Sequence, residues 1–174
     1  EGQTANLNSQ PILQTIVFAL LKATFDNVNL INSLIVAKSK SIEVSSVNHQ
    51  RESEYQSLIR LIITTEKQTR SVCGTIFGGK PRIVEIKGIK INAELSVHNL
   101  YISNEDKPGF IRDLSKILAD KNINIASFHL GRNIAEGKAI ALLSIDSKID
   151  NNILNKIRTL PLIIQAKYLE FNGK

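Results

Sequence analysis

The sequence predicts an α+β protein in two parts: a partial α/β region over residues 1–97, then a ferredoxin-like βαββαβ domain over residues 98–174. Three observations carry this. Apolar residues recur at helical spacing only in the first forty residues of the opening half. β-Branched residues then dominate up to the middle of the chain. From residue 98 onward, strand-like and helix-like stretches alternate in the order that builds a two-layer domain with both helices on one sheet face.

Taken in order, Pro11 opens a helix, where a missing N–H costs nothing, and Ile12, Ile16 and Leu20, with Val17 and Leu21 beside them, form its apolar stripe. Asp26-Asn27 breaks it. A second helix over Val28 to Lys38 is expected to bury Leu30, Ile31, Leu34 and Ile35. Four strands follow: IEVSSV from Ile42, SLIRLIITTE from Ser57, RSVCGTIFG from Arg70 and RIVEIKGIKINA from Arg82. Gly78-Gly79-Lys80-Pro81 is the clearest turn between them. In the second half, Asn99–Asn104 reads as a strand and Pro108–Lys121 as a helix burying Phe110, Ile111, Leu114, Ile117 and Leu118. Strands Ile123–Leu130 and Ala139–Asp146, a helix Asn151–Arg158 and a last strand from Leu162 to Phe171 complete the pattern.

Composition narrows the function. Hydrophobic residues make up 43% and charged residues 22%, ordinary for a globular protein with a real core. The net charge of +6 permits an acidic partner, but Lys and Arg are scattered, with few aromatics among them. Solvated faces explain them better than nucleic-acid binding. A lone cysteine, Cys73, excludes a disulfide framework within the chain and suits a reducing cytoplasm. Pro11–Phe25 is too short and too interrupted to span a bilayer, so no membrane partner is expected. The start at Glu1 rather than Met reads as a piece of a longer protein.

The stretch NEDKPGFIRDLSKILADKNINIAS, Asn104 to Ser127, carries the chemistry. Pro108 starts a helix whose first N–H groups lack internal partners and whose dipole favours an anion. Gly109 lets a ligand approach the backbone. Asn104 and Asp106 just upstream supply an amide and a carboxylate suited to an ammonium group, and Asn124 follows at the start of the next strand. Anion and ammonium receptors side by side describe a free amino acid. The plainer reading, an N-capping Asp and a turn-forming Asn, accounts for the same residues.

NEDKPGFIRDLSKILADKNINIASFHLGR followed by GKAIALLSID resembles an ACT domain, a module that binds amino acids. RSVCGTIFGGKPRIVEIKGIKINAEL and NLINSLIVAKSKSIEV resemble the intervening, or allosteric substrate-binding, domain of D-3-phosphoglycerate dehydrogenases. Together the resemblance covers essentially the whole chain, with the intervening part at residues 1–97 and the ACT domain at 98–174. It implies a regulatory fragment of a cytoplasmic, NAD-dependent oxidoreductase of serine biosynthesis, forming at least a homodimer. It also implies L-serine, or another small amino acid, as effector at an ACT dimer seam. The family's effector positions fall on Asn104, Asp106 and Asn124, with Pro108 and Gly109 at the helix start. Some relatives carry His or Tyr in place of Asn104. Arg82 matches a basic position the family uses for an anion, thought to be the phosphorylated substrate, with Lys80 a weaker second; a further basic position of some relatives falls on Glu94. The equally simple account of Lys80 and Arg82 is a solvated hairpin end.

GTIFGGKP approaches a phosphate-binding P-loop, but Pro81 stands where Ser or Thr is needed and strands flank it, so it reads as a β-turn. No G-x-G-x-x-G is present, so no NAD site is expected here; the resemblance places NAD and the catalytic residues in domains outside this stretch. His49, His98 and His129 lack metal-ligand spacing, and Cys73 in a β-run reads as a small buried apolar residue. Two alternatives stay open: the regulatory part of an iron–sulfur L-serine dehydratase, which carries both domain types, and a stand-alone amino-acid-binding module.

Overall fold

A computed structural model describes residues 1–50, 54–135 and 137–171. They gather into two compact units, 1–58 and 59–174.

In the first unit, a short 3-10 helix (Gln3–Asn6) precedes α1 (Gln10–Lys22) and α2 (Ser33–Ser39). Pro11 sits in the first turn of α1, as expected. The buried residues fall within the predicted stripe, with one exception. Val17 and Leu21 pack with Val28 and Ala37, while Leu20 is exposed. Helix α2 starts five residues later than predicted, because Asn29 and Asn32 organise a turn. The Asn29 Oδ1 accepts from the N–H groups of Ile31 and Asn32, and the Asn32 Oδ1 accepts from Asn29 N–H at 2.8 Å. This rotates the helix so that Ser33 and Ala37 face inward and Ile31 and Ile35 face out. The predicted strand IEVSSV is irregular chain: its residues have strand propensity, but none of the described residues pairs with it as a strand.

The second unit holds two four-stranded antiparallel sheets. The first is a meander of β1 (Ile59–Thr64), β2 (Thr69–Phe77), β3 (Lys80–Ile86) and β4 (Ile89–Glu94). The β2–β3 turn is the predicted one, with Gly78 and Gly79 at φ 58° and 76°. RIVEIKGIKINA, predicted as one strand, is a hairpin. Lys87 and Gly88 turn it with φ of 51° and 78°, the doubly positive pair that matches strand twist.

The second sheet contains β5 (His98–Glu105), β6 (Ile125–Arg132), β7 (Lys138–Ile145) and β8 (Ile163–Glu170), in the order β6-β7-β5-β8. Helices α3 (Phe110–Ala119) and α4 (Asn151–Arg158) cover one face, giving the predicted βαββαβ arrangement. Phe110, Leu114 and Leu118 of α3 and Leu154 and Ile157 of α4 bury Leu100, Ile102, Leu143 and Ala166. Ile111 alone of the predicted α3 face is exposed. Asp150 caps α4 by accepting the Ile153 N–H at 2.8 Å.

Strand β4 packs on the opposite face. Ile89, Ile91 and Ala93 meet Ile140 and Leu142 of β7. Covered on both sides, β7 reads as the near-continuous apolar run AIALLSI rather than an alternating strand. Contact is so close at Gly131 of β6 that a Cβ there would overlap the Lys90 carbonyl oxygen and lie 2.8 Å from Ile89 Cγ2.

Candidate functional site

The β5–α3 corner brings together most of the residues singled out from sequence. Asn104, the penultimate residue of β5, is 1% exposed. Its Nδ2 donates to the Glu105 carbonyl at 2.8 Å, which fixes the amide and leaves the buried Oδ1 without a hydrogen-bond partner. Such an orphan acceptor costs about 1–3 kcal/mol. The Asp106 N–H bonds Gly137 O, and its carboxylate accepts from Arg132 Nη1 at 2.6 Å. Arg132 itself remains largely exposed.

Gly109 is the N-cap of α3 at φ 103°, a left-handed value that excludes most side chains, and no side chain caps the helix. The first N–H groups of α3 are therefore free for an anion. Arg112 pairs with Asp113 at 2.8 Å in the first turn, holding the Asp113 carboxyl below the usual carboxylate range. Lys107 bonds Glu105 at 2.6 Å. Pro108 stands exposed beside them, just before the cap.

Asn124 is elsewhere in the same chain. Ala139 of β7 pairs with Asn104 on one side and with Arg132 on the other, whereas Asn124 receives the N–H of Asp146. Ala139 and Asp146 are seven residues apart along extended chain, roughly 23 Å at strand rise. The Asn124 Nδ2 donates to Asp146 at 2.7 Å. Arg132, at the opposite end of β6 from Asn124, was not singled out from sequence; only its place at the end of a strand-like stretch hinted at it.

The other candidate positions lie on β3. Lys80 and Arg82 both bind Glu94, at 2.7 and 3.4 Å, and Arg82 also reaches Asn92 at 3.3 Å and lies over the Phe77 ring. Arg82 Nε is buried without a partner. Lys80 chiefly holds Glu94 below the ordinary carboxylate range. Both cations are thus neutralised by one acid, Glu94. Cys73 is buried in β2. Among the described residues, no group of three His, Cys, Asp or Glu lies close enough to hold a metal ion, and no helix is long and apolar enough to cross a membrane.

Comparison with known proteins matches residues 1–87 to the D-3-phosphoglycerate dehydrogenase intervening domain and residues 98–162 to the ACT domain. A D-3-phosphoglycerate dehydrogenase of Bacillus subtilis is 33% identical over 98% of this chain and 33% of its own length. One from Synechocystis is 31% identical over 86% of this chain and 27% of its own. A probable L-serine dehydratase beta chain of Bacillus subtilis is 26% identical over 82% of this chain and 65% of its own. The chain spans about a third of the length of the dehydrogenases it matches.

Proposed function

The chain belongs to the D-3-phosphoglycerate dehydrogenase intervening-domain family and carries an ACT domain behind it, and from that premise we propose that it is the amino-acid-sensing end of such a dehydrogenase. The parent would oxidise 3-phosphoglycerate with NAD in the route to serine. This end would bind L-serine where two copies meet.

One observation carries the reading: β6 is an edge strand with Arg132, and beside it Asp106, at one end and Asn124 at the other. Antiparallel pairing of two β6 edges, centred near Phe128, would set Asn124 of a second copy beside Asp106 of the first. Neither chain assembles that set alone. The ligand's ammonium would take the unspent Asn104 Oδ1 and compete with Arg132 for Asp106. Its carboxylate would face the uncapped N-terminus of α3 and the displaced guanidinium. Because the ligand bridges copies, it would favour the arrangement in which both half-sites meet. That differential binding could be transmitted as a coupling of typically ~1–3 kcal/mol.

Titration calorimetry with L-serine tests this. Saturable heat is expected from the chain, weakened about tenfold or more, ~1.4 kcal/mol, in Asp106→Ala and in Asn124→Ala. Mixing the two variants should restore one intact site per heterodimer. Heat that survives both substitutions, or no recovery on mixing, overturns the shared site; heat with glycine or aspartate and none with L-serine reassigns the effector.

The dehydratase relative supports a second reading, since the chain covers 65% of it. The sequence preceding residue 1 distinguishes the two: a dinucleotide fingerprint supports the first, cysteine cluster ligands the second.

A further inference from the structure

The two sheets of the second unit meet through β4 and separate toward β1 and β8. Between them lies a cleft of about 280 Å³. That is close to the lower end of ordinary small-molecule pockets, roughly 300 Å³. Its walls come from residues that strand pairing places on facing surfaces. Leu61, Val72 and Ile86 share one face of the first sheet through the pairs Leu61–Val72 and Val72–Ile86. Tyr101, Lys167 and Leu169 line the side of the second sheet away from α3 and α4.

Three cations stand on this otherwise apolar cleft: Arg70, Lys87 and Lys167. Among the described residues none of them forms an ion pair, unlike Lys80, Arg82, Arg132 and Lys148, which all do. Lys87 is held in place: its N–H donates to Ser71 O at 2.8 Å, and its ammonium lies 5.7 Å from the centre of the Tyr101 ring. The Tyr101 hydroxyl is buried without a hydrogen-bond partner. The cleft therefore combines apolar walls with three cations that form no ion pair among the described residues, and no acid lines it.

We propose that the cleft between the β1–β2 face and β8 binds a small organic anion with an apolar body, its head held by Lys87, Lys167 and Arg70. The hydrocarbon part would cover Leu61, Val72 and Leu169, and the charge would be met by the three exposed cations, whose summed positive field attracts an anion. This site is separate from Asp106 and from Arg82. Along β2, Arg70 is five residues from Thr75, which pairs with Arg82, or roughly 17 Å at strand rise.

Hexanoate, hexanol and inorganic phosphate, each titrated calorimetrically into the full chain, test the proposal. Hexanoate is expected to bind saturably and the other two at least about tenfold more weakly. Lys87→Glu and Lys167→Glu, both at exposed positions, should each weaken hexanoate about tenfold while circular dichroism and L-serine heat stay unchanged. Hexanol binding as tightly as hexanoate would reduce the cleft to a greasy groove and overturn the anion. Phosphate binding as tightly would overturn the apolar body. No binding of hexanoate, or binding indifferent to both substitutions or abolished by Asp106→Ala, would overturn the site.

Discussion

The two sheets of the second unit have the same strand count and antiparallel sense, yet they are stabilised in different ways. The β5–β8 sheet is covered on one face by α3 and α4, which bury Leu100, Ile102, Ala141 and Leu143, and on the other by β4, which buries Ile140 and Leu142. The β1–β4 sheet buries side chains chiefly toward β4; along β1, five of six residues are exposed. The first sheet is thus held from one end, by the β3–β4 hairpin lying on β6 and β7. Stability is concentrated in the sheet that carries the β5–α3 corner. The weaker sheet is the better placed to open locally.

The largest effect is expected where the two sheets touch. Gly131→Val puts a branched side chain into the Lys90 carbonyl, and neither backbone can yield without unpairing its strand. The cost should be on the order of 4 kcal/mol. Hydrogen exchange should show residues 89–94 losing protection while 98–105 and 138–145 retain it. Uniform loss across both sheets would mean that the second sheet depends on the first, and the asymmetry would be wrong.

A matched pair sharpens the same comparison at lower cost. Leu114, at 0% exposure, anchors α3 on the second sheet; Ile62 of β1 is 57% exposed. Leu114→Ala should destabilise by about 2–5 kcal/mol through lost burial and the cavity left behind. Ile62→Ala should stay within about 0.5 kcal/mol. Denaturant melts of both variants measure the ratio, and near-equal losses would show that β1 is covered in solution.

The same contrast explains what the sequence made legible. The second half alternates with clear periods, and helix Asn151–Arg158 lies where the pattern put it, because local preference and burial agree there. In the first half they disagree. IEVSSV has strand residues but pairs with no strand among the described residues, and α2 keeps Leu34 of its predicted apolar face against the core while Ile35 turns to solvent, because two asparagines set its start. Gly88 inside RIVEIKGIKINA was a usable sign of a turn, since glycine in a strand pattern usually marks a break. The need for Gly131 was not readable, because it depends on a strand forty residues earlier. At the β5–α3 corner, the sequence pointed to Asn104, Asp106, Pro108 and Gly109, and it pointed to Asn124 at the far end of β6. It could not supply the orphaned Asn104 oxygen or the Arg132 partner of Asp106, which arise only when β6 and β5 flank the same residue of β7.

The smallest effect concerns pH and falls on the second sheet. Tyr168 of β8 is pushed above the ordinary tyrosine range, first by burial and then by the nearby Glu170 carboxylate, with Lys148 opposing. Its hydroxyl lies 2.6 Å from His98 Nδ1, and the two rings stack. A tyrosine whose folded pKa exceeds its unfolded value holds its proton more tightly when folded. The unfolded chain therefore ionises first as pH rises, and stability present below the unfolded pKa is lost on the way up through the folded one. Lys148, raised by its bond to Glu170, acts in the same direction, but it is exposed and screened by solvent. Tyr168→Phe isolates the tyrosine. The variant should lose about 1 kcal/mol at neutral pH with the His98 hydrogen bond. Between about pH 9 and about pH 11, wild type should then lose more stability than the variant, narrowing the gap between them. A gap that widens over that interval would mean that Tyr168 ionises more easily folded than unfolded, and that the β5–β8 edge is wetter than its packing shows.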